Sequence, residues 1–179
     1  MDSMNIKKRV INVALPLPSD KIILTGFMGC GKSYLSTHLA RSLGFSLEDS
    51  DSMIENEENR TINEIFSESG ESYFRELEAK IAEKMKHLSH CVIATGGGFP
   101  IYYSDIKSLG LVIYMDISFD EILRRMTQED IKKRPLFQDV EKARSLYNSR
   151  LAIYKDRSHY QVDATKNIDE MISFIKDKL

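Results

Sequence analysis

A three-layer α/β/α fold around a central parallel sheet is what this sequence predicts, and three observations carry the expectation. Short runs rich in β-branched residues alternate with segments of helical periodicity. The segments between runs are long enough for the helical crossovers that parallel strands require. A glycine-rich turn ending in Lys32-Ser33 stands where the first run meets the first helical segment.

Taken in order, Lys21-Ile-Ile-Leu-Thr25 has the length and apolar continuity of a buried strand. Ser33 to Leu43 reads as a helix that Gly44 stops. Phe45-Ser-Leu-Glu48 falls where a second strand ends, and Thr61-Ile-Asn-Glu64 is a capping-box signature opening another helix. Phe74, Leu77, Ile81, Met85 and Leu88 form one helical stripe. Cys91-Val-Ile-Ala94 and Leu111-Val-Ile-Tyr-Met115 are further buried strands, and Ser118-Phe-Asp-Glu121 is a second capping box. Tyr160-Gln-Val-Asp163 is a weaker strand. Thr127 to Val140 breaks the alternation, being polar, basic and interrupted by Pro135, and reads as a mobile lid. Residues 1–20 read as a loosely attached extension and residues 21–179 as a single domain, with the lid at about 127–140; no internal repeat is found.

With 179 residues, 42% hydrophobic and 29% charged, the chain is long enough for a core that needs no disulfides. Cys30 and Cys91 are too few for a disulfide framework, so a reducing, cytoplasmic setting is expected. The apolar stretch Val10 to Leu17 is too short to span a bilayer. A net charge of −2 argues against nucleic-acid and anionic-membrane partners and in favour of small ligands, with a monomer expected. The charge is unevenly spread. Leu47 to Glu78 holds eleven acids against Arg60 and Arg75, whereas Arg124 to Arg157 holds ten bases against five acids, as a basic segment closing over an anionic ligand would.

Gly26-Phe-Met-Gly-Cys-Gly-Lys32-Ser33 matches the P-loop pattern between a predicted strand and a predicted helix. Glycines let amide groups converge on phosphate oxygens, the helix N-terminus adds a positive dipole, Lys32 reaches the β- and γ-phosphates and Ser33 ligates Mg²⁺. Gly26, Gly29, Cys30, Gly31 and Tyr34 complete the expected ATP-binding set. A glycine-rich helix-stop turn would explain the motif less well. No Asn-Lys-x-Asp stretch is present to read guanine.

Asp49-Ser-Asp51 supplies two carboxylates at the rim: one could hold the metal, and the other could orient a hydroxyl and accept its proton. Alternatively both are N-cap acids for a helix beginning near Ser52. Arg75 and Glu78 are three residues apart on one helix face, so Glu78 can steady a guanidinium that grips a carboxylate, or the two form a solvated ion pair. Thr95-Gly96-Gly97-Gly98 allows close backbone approach to a ligand. Arg134 sits in the lid and Arg150 on the helix after it; either could be an ordinary surface arginine. Asp116, at the end of an apolar strand, rivals Asp49 as metal ligand. His38 reads as structural.

These motifs occur together in the order and approximate spacing of the shikimate kinases, which the chain resembles from about Ile22 onward. The resemblance implies a P-loop fold of the nucleoside-monophosphate-kinase type and transfer of the ATP γ-phosphate to the 3-hydroxyl of shikimate, in aromatic amino acid (chorismate) biosynthesis. It further implies that Asp49, with Ser33, supports Mg²⁺ and that Asp51 contacts the substrate hydroxyls. Shikimate would be bound by Arg75, Arg150, Gly97, Gly98 and Glu78, with Phe66 and Phe74 lining its ring. Arg134 would come from the lid to the transferring phosphoryl group, making Lys32, Asp51 and Arg134 the catalytic set. Adenine would stack on Arg125, or on its neighbour Arg124, and meet the loop near Ala164 to Lys166. The lid is longer and richer in lysine than the pattern, and residues 1–20 have no counterpart in it. Two competing readings are a gluconate-type sugar-acid kinase of the same fold and a nucleotide-dependent regulatory switch.

Overall fold

The computed structural model describes residues 20–179. The expected N-terminal extension, apart from Asp20, and the apolar stretch Val10 to Leu17 lie outside the described residues. The chain runs β1 (Lys21–Thr25), α1 (Lys32–Leu43), β2 (Ser46–Asp49), α2 (Ser50–Glu58), α3 (Ile62–Met85), β3 (Cys91–Ala94), α4 (Phe99–Tyr102), β4 (Leu111–Asp116), α5 (Phe119–Arg125), α6 (Gln128–Lys133), α7 (Val140–Asp156), β5 (Tyr160–Asp163) and α8 (Ile168–Lys176). All ladders are parallel, in the order β2-β3-β1-β4-β5.

The continuous apolar runs make sense once both sheet faces are covered. Ile22 and Leu24 join one hydrophobic cluster with Leu35 and Leu39 of α1, Ile122 of α5, Tyr147 of α7 and Ile175 of α8. Ile23, between them in sequence, points the other way, into a cluster with Ile54 of α2 and Phe74 and Ile81 of α3. The outer strands β2 and β5 are partly exposed, and their polar residues are why each is a weaker sequence signal than the buried β1 and β3.

Local chemistry places the helix ends. Gly44, with φ 68°, closes α1. Thr61 and Glu64 form the expected reciprocal capping box of α3. At α5 only half of the expected box forms: Ser118 accepts the Glu121 amide, but the Glu121 carboxylate turns to Arg124 and Arg125 instead. Helix α3 breaks at Gly70, where φ is 81°, and ends at Met85, so Leu88 packs against the core from beyond the helix. Lys21 is buried at the foot of β1, and its ammonium donates to the carbonyls of Met85 (2.6 Å) and Lys86 (3.2 Å), at the negative end of the α3 dipole. Thr127 to Val140 contains more regular structure than its composition implies. A Thr127–Asp130 capping box starts α6, and Pro135–Gln138 follow as a short 3-10 turn.

His159 extends the β4–β5 ladder by one step at its start. Its own amide donates to the Val112 carbonyl (2.8 Å), and its Nδ1 accepts the Val112 amide (3.0 Å), so that nitrogen carries no proton. Burial lowers the His159 pKa. The unfolded chain therefore holds more protons than the folded one across the window below about 6.5, and stability falls as pH drops through it. We expect urea midpoints to fall between pH 7.5 and 5.5 by more in the wild type than in His159→Asn, whose Oδ1 stands where Nδ1 does and accepts the same bond without titrating. Equal losses in the two proteins would remove His159 as the cause.

Candidate active site

Strand order sets the position of the site. β1 lies between β3 and β4, and the turns leaving β1 and β3 emerge side by side at the carboxyl edge, where open parallel sheets bind ligands. In the first turn Gly26, Gly29 and Gly31 all have positive φ. This bends the loop around a cleft of about 410 Å³, bordered by Lys32, Ser33, Asp49, Asp51, Gly96 and Arg134 among others. The Lys32 ammonium folds back to the carbonyls of Gly26 (2.7 Å) and Phe27 (3.1 Å). Cys30 is buried beneath the loop, 3.6 Å from that ammonium.

A second cavity of about 400 Å³ adjoins the first and is lined by Gly31, Tyr34, Arg125, Ala164 and Lys166 among others. Arg125 borders both cavities, and its Nη1 donates to the Ala164 carbonyl (2.8 Å). Arg124 has a side chain 73% exposed and, among the described residues, pairs only with Glu121. Geometry thus separates the two arginines. It also separates the rival acids: Asp116 lies 3.8 Å from Lys155 and lines a hollow with Asp163 and Tyr147, away from the P-loop cleft that Asp49 borders.

The carboxylates of Asp49 and Asp51 divide their work. Asp49 is an N-cap after all, its Oδ1 accepting the amides of Asp51 and Ser52 (both 3.0 Å), yet it also faces the cleft. Asp51 caps nothing. Its Oδ1 is buried without a hydrogen-bond partner among the described residues, and burial, then the negative charge of Asp49, pushes its pKa up to about 6 against the pull of Lys32.

Glycine leaves room for that carboxylate, because a Cβ on Gly96 would stand 2.6 Å from Asp51 Oδ1 and push it aside. Likewise a Cβ on Gly98 would stand 2.7 Å from Arg75 Nη1. The glycine loop therefore makes room for protein side chains as well as for a ligand. Arg75 Nη1 donates to Glu78 Oε2 (2.7 Å), and the Glu78 side chain is only 3% exposed. Burial raises the Glu78 pKa despite this pairing, and its Oε1 has no partner among the described residues. Phe66 and Phe74 meet across the Gly70 break with ring centroids 4.7 Å apart. Arg150 lies within electrostatic reach of Glu78 and Tyr154, so it joins the Arg75 group rather than the phosphate cleft. Arg134 stands at the cleft rim, 3.8 Å from Asp130.

Three contributors escape the sequence reading. Tyr154 donates its hydroxyl to the Gly97 carbonyl (2.6 Å), and Arg157, at the end of α7, donates to the carbonyls of Pro100 (2.5 Å) and Ile101 (3.0 Å), so this end of α7 braces the glycine loop and the short helix α4 after it. Tyr154 lies four residues after Arg150, on the same helix face, and that spacing is the signal that could have found it. The third is Asp130, which borders the phosphate cleft beside Arg134.

Comparison with known proteins now bears on this arrangement. A family model described as shikimate kinase matches residues 28–179. The shikimate kinase of Helicobacter hepaticus is 45% identical over 145 residues, 80% of this chain and 86% of that protein. The structure of shikimate kinase from Acinetobacter baumannii in complex with shikimate is similar with a TM-score of 0.77 and 30% identity, covering 88% of this chain and 91% of that one. A gluconokinase from Sinorhizobium meliloti shares the fold (TM-score 0.56) at only 14% identity. A match that takes in the Gly29–Ser33 end of the phosphate loop, the Asp51 and Arg75 neighbourhoods and the Thr127–Val140 segment leaves one conclusion, that this chain belongs to the shikimate kinase family.

Proposed function

We propose that this protein transfers the γ-phosphoryl group of ATP to the 3-hydroxyl of shikimate, giving shikimate 3-phosphate and ADP. The observation that carries this reading is the position of Asp51. It borders the same cleft as Lys32, its unpartnered oxygen abuts Gly96, and it feels the charges of both Lys32 and Arg75. One carboxylate thus serves the donor and acceptor sides together.

The P-loop amides, Lys32 and Tyr34 hold the ATP phosphates, and Arg125 with the 164–166 loop holds adenine. Among the described residues no cluster of three or more His, Cys, Asp and Glu could hold a metal alone. That fits Mg²⁺, which usually takes one or two protein oxygens together with nucleotide phosphates and water. Here Ser33 and Asp49 would supply them. When bound, the ion neutralises phosphate charge and aligns the donor. Asp51 orients the acceptor hydroxyl and takes its proton late, as expected for a loose transition state. Arg75 and Arg150 grip the carboxylate, Gly97 and Gly98 supply backbone contacts, Glu78 steadies Arg75, and Phe66 and Phe74 wall the ring. Arg134 reaches the transferring phosphoryl when the lid closes. We further propose a cytoplasmic monomer; no helix among the described residues is long and apolar enough to cross a membrane.

The direct test is ADP release with shikimate, with gluconate and with no acceptor. Shikimate alone should support turnover. Release stimulated by gluconate would point to the sugar-acid kinase, and acceptor-independent hydrolysis to a nucleotide switch.

Ionisation of Asp51 sets a pH dependence. A carboxyl raised to about 6 is largely protonated below that pH, so the rate at limiting shikimate should climb through about pH 6 and then level. Asp51→Asn should lower kcat about ten- to hundredfold with little change in shikimate KM, and should abolish the acid limb. If the limb survives in Asp51→Asn, another group owns it.

Arg134 and Lys133 are neighbours with different surroundings. Arg134 faces the cleft, whereas Lys133 pairs at 2.8 Å with Glu129 on the outer surface. Arg134→Ala should depress kcat by about a hundredfold with little sensitivity to salt, because its contact strengthens in the transition state. Lys133→Ala should produce a small, salt-screened change. Small, salt-sensitive effects in both variants would sink the lid-arginine role.

A further inference from the structure

Arg75 offers a guanidinium with two faces of very different exposure. On the inner side Nη1 is held by the buried Glu78. On the outer side Nε and Nη2 both donate to a single oxygen, Glu71 Oε1, at 3.3 and 2.8 Å. The Tyr102 hydroxyl donates to that same oxygen at 3.1 Å, and the Tyr102 ring lies 3.8 Å from the Arg75 guanidinium carbon. The Glu71 side chain is 56% exposed, and it directly follows Gly70, where α3 breaks. Hydrogen bonds from Arg75 and Tyr102 hold its carboxyl below the usual range, so it is an anion at neutral pH.

We propose that Glu71 occupies the seat of the acceptor's carboxylate on Arg75 and is exchanged for it when the acceptor binds, while Glu78 and the Tyr102 ring keep the guanidinium in place. This rests on the reading of Arg75 as the carboxylate anchor. Three donors crowding one oxygen make a poorer fit to the Nε–Nη2 edge than a ligand carboxylate that offers one oxygen to each N–H. Glu71 is also the exposed partner, and the broken helix lets it withdraw without disturbing the buried pair. Arg150, which lies within electrostatic reach of Glu71, attracts whichever anion holds the seat. The exchange selects for acids, because a neutral ligand gains no contact that offsets displacing Glu71. Glu71 is thus a specificity-determining residue that acts through Arg75.

The test is calorimetric titration of wild type, Glu71→Gln, Arg75→Ala and the double variant with shikimate and with its carboxamide analogue. ATP titrations serve as the internal control. Removing the competing charge should tighten shikimate binding about three- to tenfold, the range expected for a partly exposed charge-assisted contact. The carboxamide should show no gain, and Glu71→Gln should change nothing once Arg75 is alanine. If Glu71→Gln binds shikimate equally or more weakly while Arg75→Ala still loses it, Glu71 only steadies the arginine and the exchange is overturned. An equal gain for the carboxamide overturns it too. Unchanged shikimate affinity in Arg75→Ala would instead reject the anchor itself.

Discussion

Parallel pairing of β1 with β3 sets Leu24 beside Ala94, and the ladder continues one step further through the Thr95 amide, which donates to the Leu24 carbonyl. Because the strands run the same way, their following turns leave from the same edge. One turn is the phosphate loop and the other is the glycine loop that borders Asp51 and Arg75. Their separation is therefore a sheet dimension rather than a loop preference. Apolar cover on both faces, from Ile22 and Leu24 on one side and Ile23 on the other, holds this register, since a one-residue slip would exchange the two sets.

On that frame the site is assembled by partial burial of charge. The acid-rich segment contributes Asp49, Asp51, Glu71 and Glu78, and the basic segment contributes Arg125, Arg134 and Arg150. Asp51 illustrates the cost of drawing a carboxylate into the cleft: desolvation and Asp49 raise its pKa, and Lys32 offsets only part of this. Glu78, buried against Arg75, is under the same strain. Among the described residues, each keeps a buried oxygen with no hydrogen-bond partner.

Helix α7 and the segment before it tie the parts together. Tyr154 fastens the glycine loop and Arg157 the short helix α4 that follows it, while Arg150 on α7 lies within electrostatic reach of Glu78. Phe137 is buried against Phe27 of the phosphate loop and Phe119 of α5, at ring distances of 6.2 and 6.1 Å. This anchors the far end of the Thr127–Val140 segment to the cradle. Helix α6, by contrast, buries no residue, so the segment from Thr127 to Arg134 is the part with little packing to lose on moving.

Much of this was legible before any coordinates. Continuous β-branched runs, capping signatures and a Gly-Lys-Ser turn are local features, and local sterics and hydrogen bonding decide them within a few residues. The exposed strands β2 and β5 were fainter because their burial depends on what lies beside them. Family-level motifs pointed to Asp49, Asp51, Arg75 and Arg134 as a set, yet sequence alone left open whether Asp49 or Asp116 borders the phosphate cleft, and whether Arg124 or Arg125 turns inward. It did not single out Tyr154, Glu71 or Tyr102. Those questions concern side chains from different elements meeting in space: Glu71 reaches Tyr102 across 31 residues and Tyr154 reaches Gly97 across 57. The sequence by itself determined the buried strands, the capped helices and the phosphate-binding turn, because each is encoded within a few residues. Only the tertiary structure decided which charges share a cavity, because strand order and helix packing bring together residues whose spacing along the chain carries no trace of it.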